Sequence, residues 1–370
     1  DAWWDLAQTR EGRERDGFLL RAGHWYEQAQ PKVTSGLAKV KLDQRLDEIA
    51  KIEPPAGQVA GTRPGPKVPT SAAAAFKPFD PATAVELATF QGHTAAVHSI
   101  GFSPDGTTLV SASVDRTVRF WDVDKRQPSG MLPPLKNSDL RAVFSPAGSL
   151  LAVANGDSTI SLWNTARGQL RGMLVGHQRT VDCLAFSLDG SLLASGARDN
   201  TVILWDVNRG RITRPLGPLG GRPWSVAFSP DGSLVASGNL DRLVTVWEVA
   251  TGKLRYTLAG HGGDVRSVAF SPNGETLASS SRDGTVRLWD TRAGTLQRTL
   301  EGHVADLLTI AISPDGATLA SSGSDGTIGL WDLAAETPRR VLAGHVGAVW
   351  SLAFSPDGSL LASAGDDFMI

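Results

Sequence analysis

The chain has 370 residues, with 36 Lys and Arg against 38 Asp and Glu and a formal charge of −2. No net basic field is present to draw in phosphate backbones or anionic lipid, so nucleic acid is not an expected partner. No apolar run approaches the roughly 18 residues that span a bilayer, so no membrane insertion is expected, and the single cysteine, Cys183, excludes an internal disulfide, a zinc cage and a redox pair.

Residues 14–30 place Phe18, Leu19, Ala22, Trp25, Tyr26 and Ala29 at helical spacing. Residues 36–52 do the same with Leu37, Val40, Leu42, Leu46, Ile49 and Ile52, so a small α-helical segment is expected over 1–53. Its Trp-rich helix, charged turn, Ala22, Tyr26, Ala29 and Pro31 loosely resemble a tetratricopeptide unit. The segment is also similar to helical stretches of large multidomain bacterial proteins. Residues 54–82 carry Pro54, Pro55, Pro64, Pro66, Pro69, Pro78 and Pro81 together with an Ala72 to Ala75 run, which predicts an extended linker.

From residue 83 onward the pattern becomes periodic. Trp121, Trp163, Trp205, Trp247, Trp289 and Trp331 differ by 42 at every step. Turn tetrapeptides starting at Ser103, Ser145, Ser187, Ser229, Ser271, Ser313 and Ser355 keep that period, and their Pro and Gly supply the fixed and positive φ of a tight strand reversal. Within one unit, Val265 to Phe270, Thr276 to Ser280, Thr285 to Trp289 and Leu254 to Leu258 read as four short strands. A thin four-stranded unit buries its faces only by stacking on copies of itself, which predicts an all-β, seven-bladed β-propeller over 83–370.

The units resemble WD-repeats, named for the Trp-Asp pair seen at Trp121-Asp122, Trp205-Asp206, Trp289-Asp290 and Trp331-Asp332. Gly92-His93, Gly176-His177, Gly260-His261, Gly302-His303 and Gly344-His345 sit in phase with them. Asn164 and Glu248 after the Trp, and Leu135 and Leu219 in place of the His, mark units two and four as degenerate. The resemblance implies a buried His, Ser, Asp and Trp network in each regular unit. These sets are His93, Ser111, Asp115 and Trp121; His177, Ser195, Asp199 and Trp205; His261, Ser279, Asp283 and Trp289; and His303, Ser321, Asp325 and Trp331. Because the groups recur in every blade instead of converging on one spot, they are expected to be structural, with no catalytic residue, metal ligand or cofactor among them. Units two and four, with Val153 replacing the network Ser in the former, are expected to rely on apolar packing.

The resemblance also implies a partner-docking rim, fed by the third and fifth residues after the histidine and by the residue before the turn Asp. Units three to five concentrate binding-type side chains there: Asp182, Arg198, Arg222, Trp224, Arg266 and Arg282, with His98 and Trp350 elsewhere on the rim. Arg offers a planar donor fork and Trp a large rigid face, the usual interface anchors. The reading is a non-enzymatic, monomeric scaffold for a protein or peptide partner. The competing readings are a targeting or regulatory propeller within a larger bacterial enzyme, such as a signalling kinase, and a central channel that binds a peptide or small ligand. Counted at a period of 42, the seventh unit stops short of its third strand, so the chain is expected to continue past Ile370. Val85 to Phe90, expected as the outer strand of that unit, then lacks a neighbour.

Overall fold

In every unit the Ser-Pro-Asp-Gly type turn fixes where one strand ends and the next begins. In the first, Ser103 N donates to Thr108 O at 2.7 Å and Gly106 N to Ser103 O at 2.9 Å, while Gly106 takes φ 74°. The Ser103 hydroxyl bonds Asp105 at 2.5 Å and accepts from Thr108 N at 3.0 Å, closing the reversal. The computed structural model describes residues 80–370 except 136, 137, 139, 304 and 334–337. The expected helical segment over 1–53 and most of the expected linker therefore lie outside the described residues.

Among the described residues the chain forms six four-stranded antiparallel sheets and one two-stranded sheet. Their first strands are Val97–Phe102, Arg141–Phe144, Val181–Phe186, Pro223–Phe228, Val265–Phe270, Leu307–Ile312 and Val349–Phe354. Each first strand lies against that of the next unit, and the seventh lies against the first, which closes a ring of blades around an axis. Side chains stitch the ring across blade boundaries. Ser99 Oγ bonds the main chain of Ala142, Ser225 Oγ accepts from Val268 N at 3.2 Å, and Ser351 Oγ accepts from Ile100 N at 3.1 Å across the closure. Cys183 occupies the same phase on its own first strand. There it is buried and donates weakly to Gly196 O, and burial pushes its thiol pKa up, leaving it inert.

The apolar core sits between blades, not inside them. One cluster joins Cys183, Ala194, Val202, Leu204 and Leu216 of blade three to Val226, Val235 and Trp247 of blade four. Another joins Ala364 and Ile370 to Val97, Ile100, Leu109 and Trp121. Sheets this thin bury apolar faces only against a neighbour, so the ring and its core form together.

Within the described residues the seventh sheet holds Val349–Phe354 and Leu361–Gly365. Residues 85–90 form no ladder, contrary to the expected strand, yet the clasp is not bare. Phe90 N donates to Ile370 O at 2.7 Å and Ile370 N donates back to Phe90 O at 3.2 Å. Among the described residues this pairing is a single reciprocal rung. Just upstream, Asp80 caps the short 3-10 turn Pro81–Thr83, and Arg340 Nη1 donates to Ala82 O at 2.8 Å. That turn is the one helical element among the described residues. Amides of Leu361–Gly365 are expected to exchange faster than those of the second strands of blades three to six, measured by hydrogen exchange with mass spectrometry. Equal protection around the ring would contradict a weak seventh sheet.

Candidate functional site

The phased polar groups settle into buried relays. In blade five, His261 Nε2 lies 2.8 Å from Ser279 Oγ and Nδ1 lies 2.9 Å from Asp283 Oδ2, while Trp289 Nε1 donates to Ser279 Oγ at 2.8 Å. Asp283 also accepts from Gly262 N, Thr285 N and Thr285 Oγ1. Burial raises the Asp283 pKa, but these hydrogen bonds outweigh it and hold the carboxyl down at about 2. Burial lowers the His261 pKa against the opposing pull of Asp283. An ionised Asp and a neutral ring dictate one tautomer: Nδ1–H donates to Asp283, and Nε2 accepts from the serine hydroxyl, which in turn accepts from the indole.

The same relay stands in blade one, with His93, Ser111, Asp115 and Trp121, and in blade three, with His177, Ser195, Asp199 and Trp205. In blade six His303 Nε2 and Trp331 Nε1 both meet Ser321 Oγ at 2.7 Å, and Asp325 caps its own turn by accepting from Thr327. The seventh sheet adds His345, Ser363 and Asp367. Among the described residues no group of three His, Cys, Asp or Glu is placed to hold a metal ion.

Blades two and four, expected to be held mainly by apolar packing and by their neighbours, also carry buried polar networks of their own. In blade two Trp163 Nε1 donates to Ser161 Oγ at 2.9 Å, Ser161 bonds Asn155, and Asn155 Nδ2 donates to Thr159 Oγ1. In blade four Ser237, Asn239 and Thr245 bond one another at 2.7 to 3.0 Å, all three buried. A buried hydroxyl costs about 1 to 3 kcal/mol if unpaired. Asn155 and Asn239, at one phase and only in the two His-lacking units, supply the missing partner.

The rim is built by one backbone device repeated. The register between first and second strands skips His98, Asp182, Trp224, Arg266, Leu308 and Trp350. Each is the extra residue of a bulge, which turns a side chain out of the regular pleat. Beside it, the residue before the turn Asp donates its N–H to the third residue after the His position: Arg198 N to Thr180 O, Leu240 N to Arg222 O, Arg282 N to Asp264 O and Ser324 N to Asp306 O. The three rim sets thus meet at one end of the innermost strands, around the channel mouth.

At blades three to five these side chains interlock across blade boundaries. Asp182, 4 % exposed, accepts from Arg198 Nε and Nη2 at 3.2 Å, and its other oxygen lies 2.8 Å from Arg222 Nε. The Arg222 contact is an ion pair without a linear hydrogen bond, since that N–H is not aimed at the oxygen. The Arg222 and Arg266 Cζ atoms lie 3.4 and 3.7 Å from the Trp224 ring centroid. At those distances both sit nearly on the ring normal, and two guanidiniums cannot share one face, so they sandwich the indole. Each such contact contributes about 1 to 2 kcal/mol when desolvated, while the two charges, roughly 7 Å apart, repel by about 2 kcal/mol at an effective dielectric of about 20. Burial, with the neighbouring Arg282 second, lowers the Arg266 pKa to about 10, so the group stays cationic at neutral pH. Arg282 reaches Asp306 at 3.2 Å and Asp264 at 3.7 Å. The arc holds four guanidiniums, Arg198, Arg222, Arg266 and Arg282, against three carboxylates, Asp182, Asp264 and Asp306.

Elsewhere on the rim, His98 packs edge-on against Trp350 at 5.2 Å across the ring closure, and Trp350 Nε1 donates to Asp366 at 2.7 Å. This pair is separate from the Trp224 arc. Sequence reasoning treated the Trp224 face as the contact surface. In the structure both faces are taken by guanidinium groups, and the indole N–H at the ring edge is buried without an acceptor.

A closed ring of six four-stranded sheets and one two-stranded sheet, with phased His-Ser-Asp-Trp relays, defines a β-propeller. The family model described as WD domain, G-beta repeat matches residues 84–122, 136–164, 168–206, 214–248, 252–290, 294–332 and 336–370, and the chain belongs to that family. Similar proteins include apoptotic protease-activating factor 1 of Danio rerio, 39 % identical over 49 residues, covering 13 % of this chain and 4 % of that protein. Protein Mut11 of Chlamydomonas reinhardtii is 61 % identical over 31 residues, 8 % of either chain, and Protein Notchless of Drosophila melanogaster is 54 % identical over 37, covering 10 % of this chain and 8 % of that protein. The matches span less than a tenth of each relative's length, so what they share with this chain is the repeat. None supports the bacterial-type affiliation or the tetratricopeptide-like segment.

Proposed function

We propose that the propeller is a non-catalytic docking platform and that it holds a protein partner at the channel mouth over blades three to five. WD-repeat propellers are in general protein-interaction scaffolds, and the observation that selects this arc is the Arg222–Trp224–Arg266 sandwich. A buried, cross-braced cation cluster costs desolvation and like-charge repulsion, and it lies among residues that the repeat leaves free to vary. The relays are repeated in blade after blade, whereas this arrangement occurs once among the described residues. The mouth also merges the rim reading with the channel reading, because the bulged residues belong to the innermost strands.

The test compares proteins captured on the immobilised chain, on Trp224→Ala/Arg266→Ala, and on Asp206→Ala at the far end of a third strand. Partners held by the first and third but lost about tenfold or more from the mouth variant are the expected result. Equal capture by all three, with melting temperatures unchanged, would sink the mouth as the docking site.

A second reading concerns context. Apoptotic protease-activating factor 1 carries its similar stretch within a much longer chain, 4 % of which is matched. That precedent supports a propeller that positions a larger multidomain protein, catalytic or not, on its partner. A reading frame extending beyond this chain into a further domain is the expected finding.

A further inference from the structure

We propose that the edge of the Trp224 sandwich is a carboxylate-binding subsite whose occupant is an acidic side chain, next to an apolar one, in a peptide segment of the partner. This rests on the docking reading above. The argument starts from two hydrogen-bond donors. Trp224 Nε1 and Arg266 Nε are both buried and have no acceptor within the protein. Arg266 is 9 % exposed as a residue, so its guanidinium is a buried charge, and the closest carboxylate of its own chain, Asp264, stands 3.6 Å from Nη2. Arg222, by contrast, has Asp182 at 2.8 Å. Arg266 is therefore the less compensated cation of the pair.

Buried donors are nearly always satisfied in folded proteins, and these two are neighbours because the Arg266 Cζ lies 3.7 Å from the indole centroid. Two adjacent N–H groups beside a guanidinium match a group with two oxygens and a negative charge, and a charge-assisted bond to a carboxylate is the strong version of that contact. Both indole faces are covered, so an apolar or aromatic ligand has no surface to stack on here. What the ring edge holds instead is a buried N–H without an acceptor.

The neighbour selects a peptide over a free anion. Leu240, 44 % exposed, is the mouth residue of the same blade, and its N–H bonds the carbonyl of Arg222. It sets an exposed aliphatic side chain at the same end of blade four as Trp224. A lone anion makes no use of it, whereas an acidic residue followed or preceded by Leu, Ile or Val uses both.

The experiment follows the indole N–H resonance of Trp224, assigned through Trp224→Phe, during titration of the full chain. The probes are acetyl-Gly-Leu-Glu-Gly-amide, its Gln isostere and inorganic phosphate. The Glu peptide is expected to move the Trp224 resonance with saturation, weakening as salt rises, and the Gln peptide to leave it in place. Arg266→Gln should weaken the Glu peptide about thirtyfold, and Arg266→Lys, which keeps the charge but lacks Nε, should weaken it less. Leu240→Ala should weaken the peptide and leave the phosphate response unchanged. Equal shifts with the Glu and Gln peptides, or none at millimolar Glu peptide, would overturn the subsite. A phosphate response equal to that of the Glu peptide, with Leu240→Ala having no effect, would overturn the peptide assignment. Failure of these titrations while capture still depends on the mouth defeats the carboxylate inference alone. Capture indifferent to the mouth variants defeats the docking reading instead.

Discussion

Asp283→Ala is expected to lower the melting temperature by about 4 to 5 °C, corresponding to about 3 kcal/mol for a chain of this size. The carboxylate accepts from His261 Nδ1, Gly262 N, Thr285 N and Thr285 Oγ1, and its loss strands the ring N–H of a histidine that is 7 % exposed. The effect should pass up the relay, because His261 then no longer has the tautomer that receives the Ser279 hydroxyl. Asp290→Ala, which removes a half-buried carboxylate that caps a turn and accepts from Gln297 Nε2, should shift the melting temperature by about 1 °C or less. Differential scanning calorimetry separates the two. A loss of partner capture in Asp283→Ala at unchanged stability would mean that the relay is a binding element.

The relay also sets a pH dependence. His93, His177, His261 and His303 have folded pKa values below 6.5, chiefly because burial disfavours the charged ring. The unfolded chain therefore binds protons first as pH falls, and stability is full above pH 6.5 and declines below it. Asp115 and Asp283 act with the same sign further down. Although both are pushed up by burial, their hydrogen bonds bring them from 3.8 to about 2, so their contribution is present above 3.8 and lost as pH falls through 2. The expected curve of melting temperature against pH is flat above 6.5, falls first by histidine protonation and then more steeply below 3.8. A curve level down to pH 5 would contradict neutral buried rings.

What could be read in advance follows from what repeats. The Trp spacing, the turn tetrapeptides and the His-Ser-Asp-Trp phase lie on the sequence itself because each blade solves the same packing problem. Asn155 and Asn239 were legible by that rule too, as residues present only where His is absent, but a pattern search keyed to identity passes over them. The rim geometry was not legible. A bulge is a relation between two strands, so nothing local to Trp224 or Arg266 announces that each is the unpaired residue of its strand. Arg222 stands just before the strand that carries Trp224, but the second guanidinium comes from the phase of Trp224 42 residues on, and the sandwich exists only once adjacent innermost strands are brought side by side. The Phe90–Ile370 rung likewise joins parts of the chain that become neighbours only through ring closure.

Asp182→Ala is expected to move stability and ligand affinity in opposite directions. The carboxylate is 4 % exposed and serves Arg198 and Arg222 together, so deleting it leaves Arg222, whose side chain is 21 % exposed, without its counter-charge, at a cost of about 3 kcal/mol. A double-mutant cycle between Asp182→Ala and Arg222→Ala should give a coupling of about 2 kcal/mol. The cycle with Arg198→Ala should give less than about 1 kcal/mol, because that side chain is 38 % exposed and water screens it. Within the native protein Asp182 is also the anion paired with Arg222, one of the two guanidiniums of the Trp224 sandwich. Removing it gives the mouth a second uncompensated guanidinium, so the Glu peptide should bind several-fold tighter even as the melting temperature falls. The variant therefore separates two roles that a single loss of function would confuse. Tighter peptide binding means that Asp182 competes with the ligand for a cation. If affinity and stability fall together, Asp182 serves to hold Arg222 on the indole, and the subsite depends on the whole braced arc instead of on Arg266 alone.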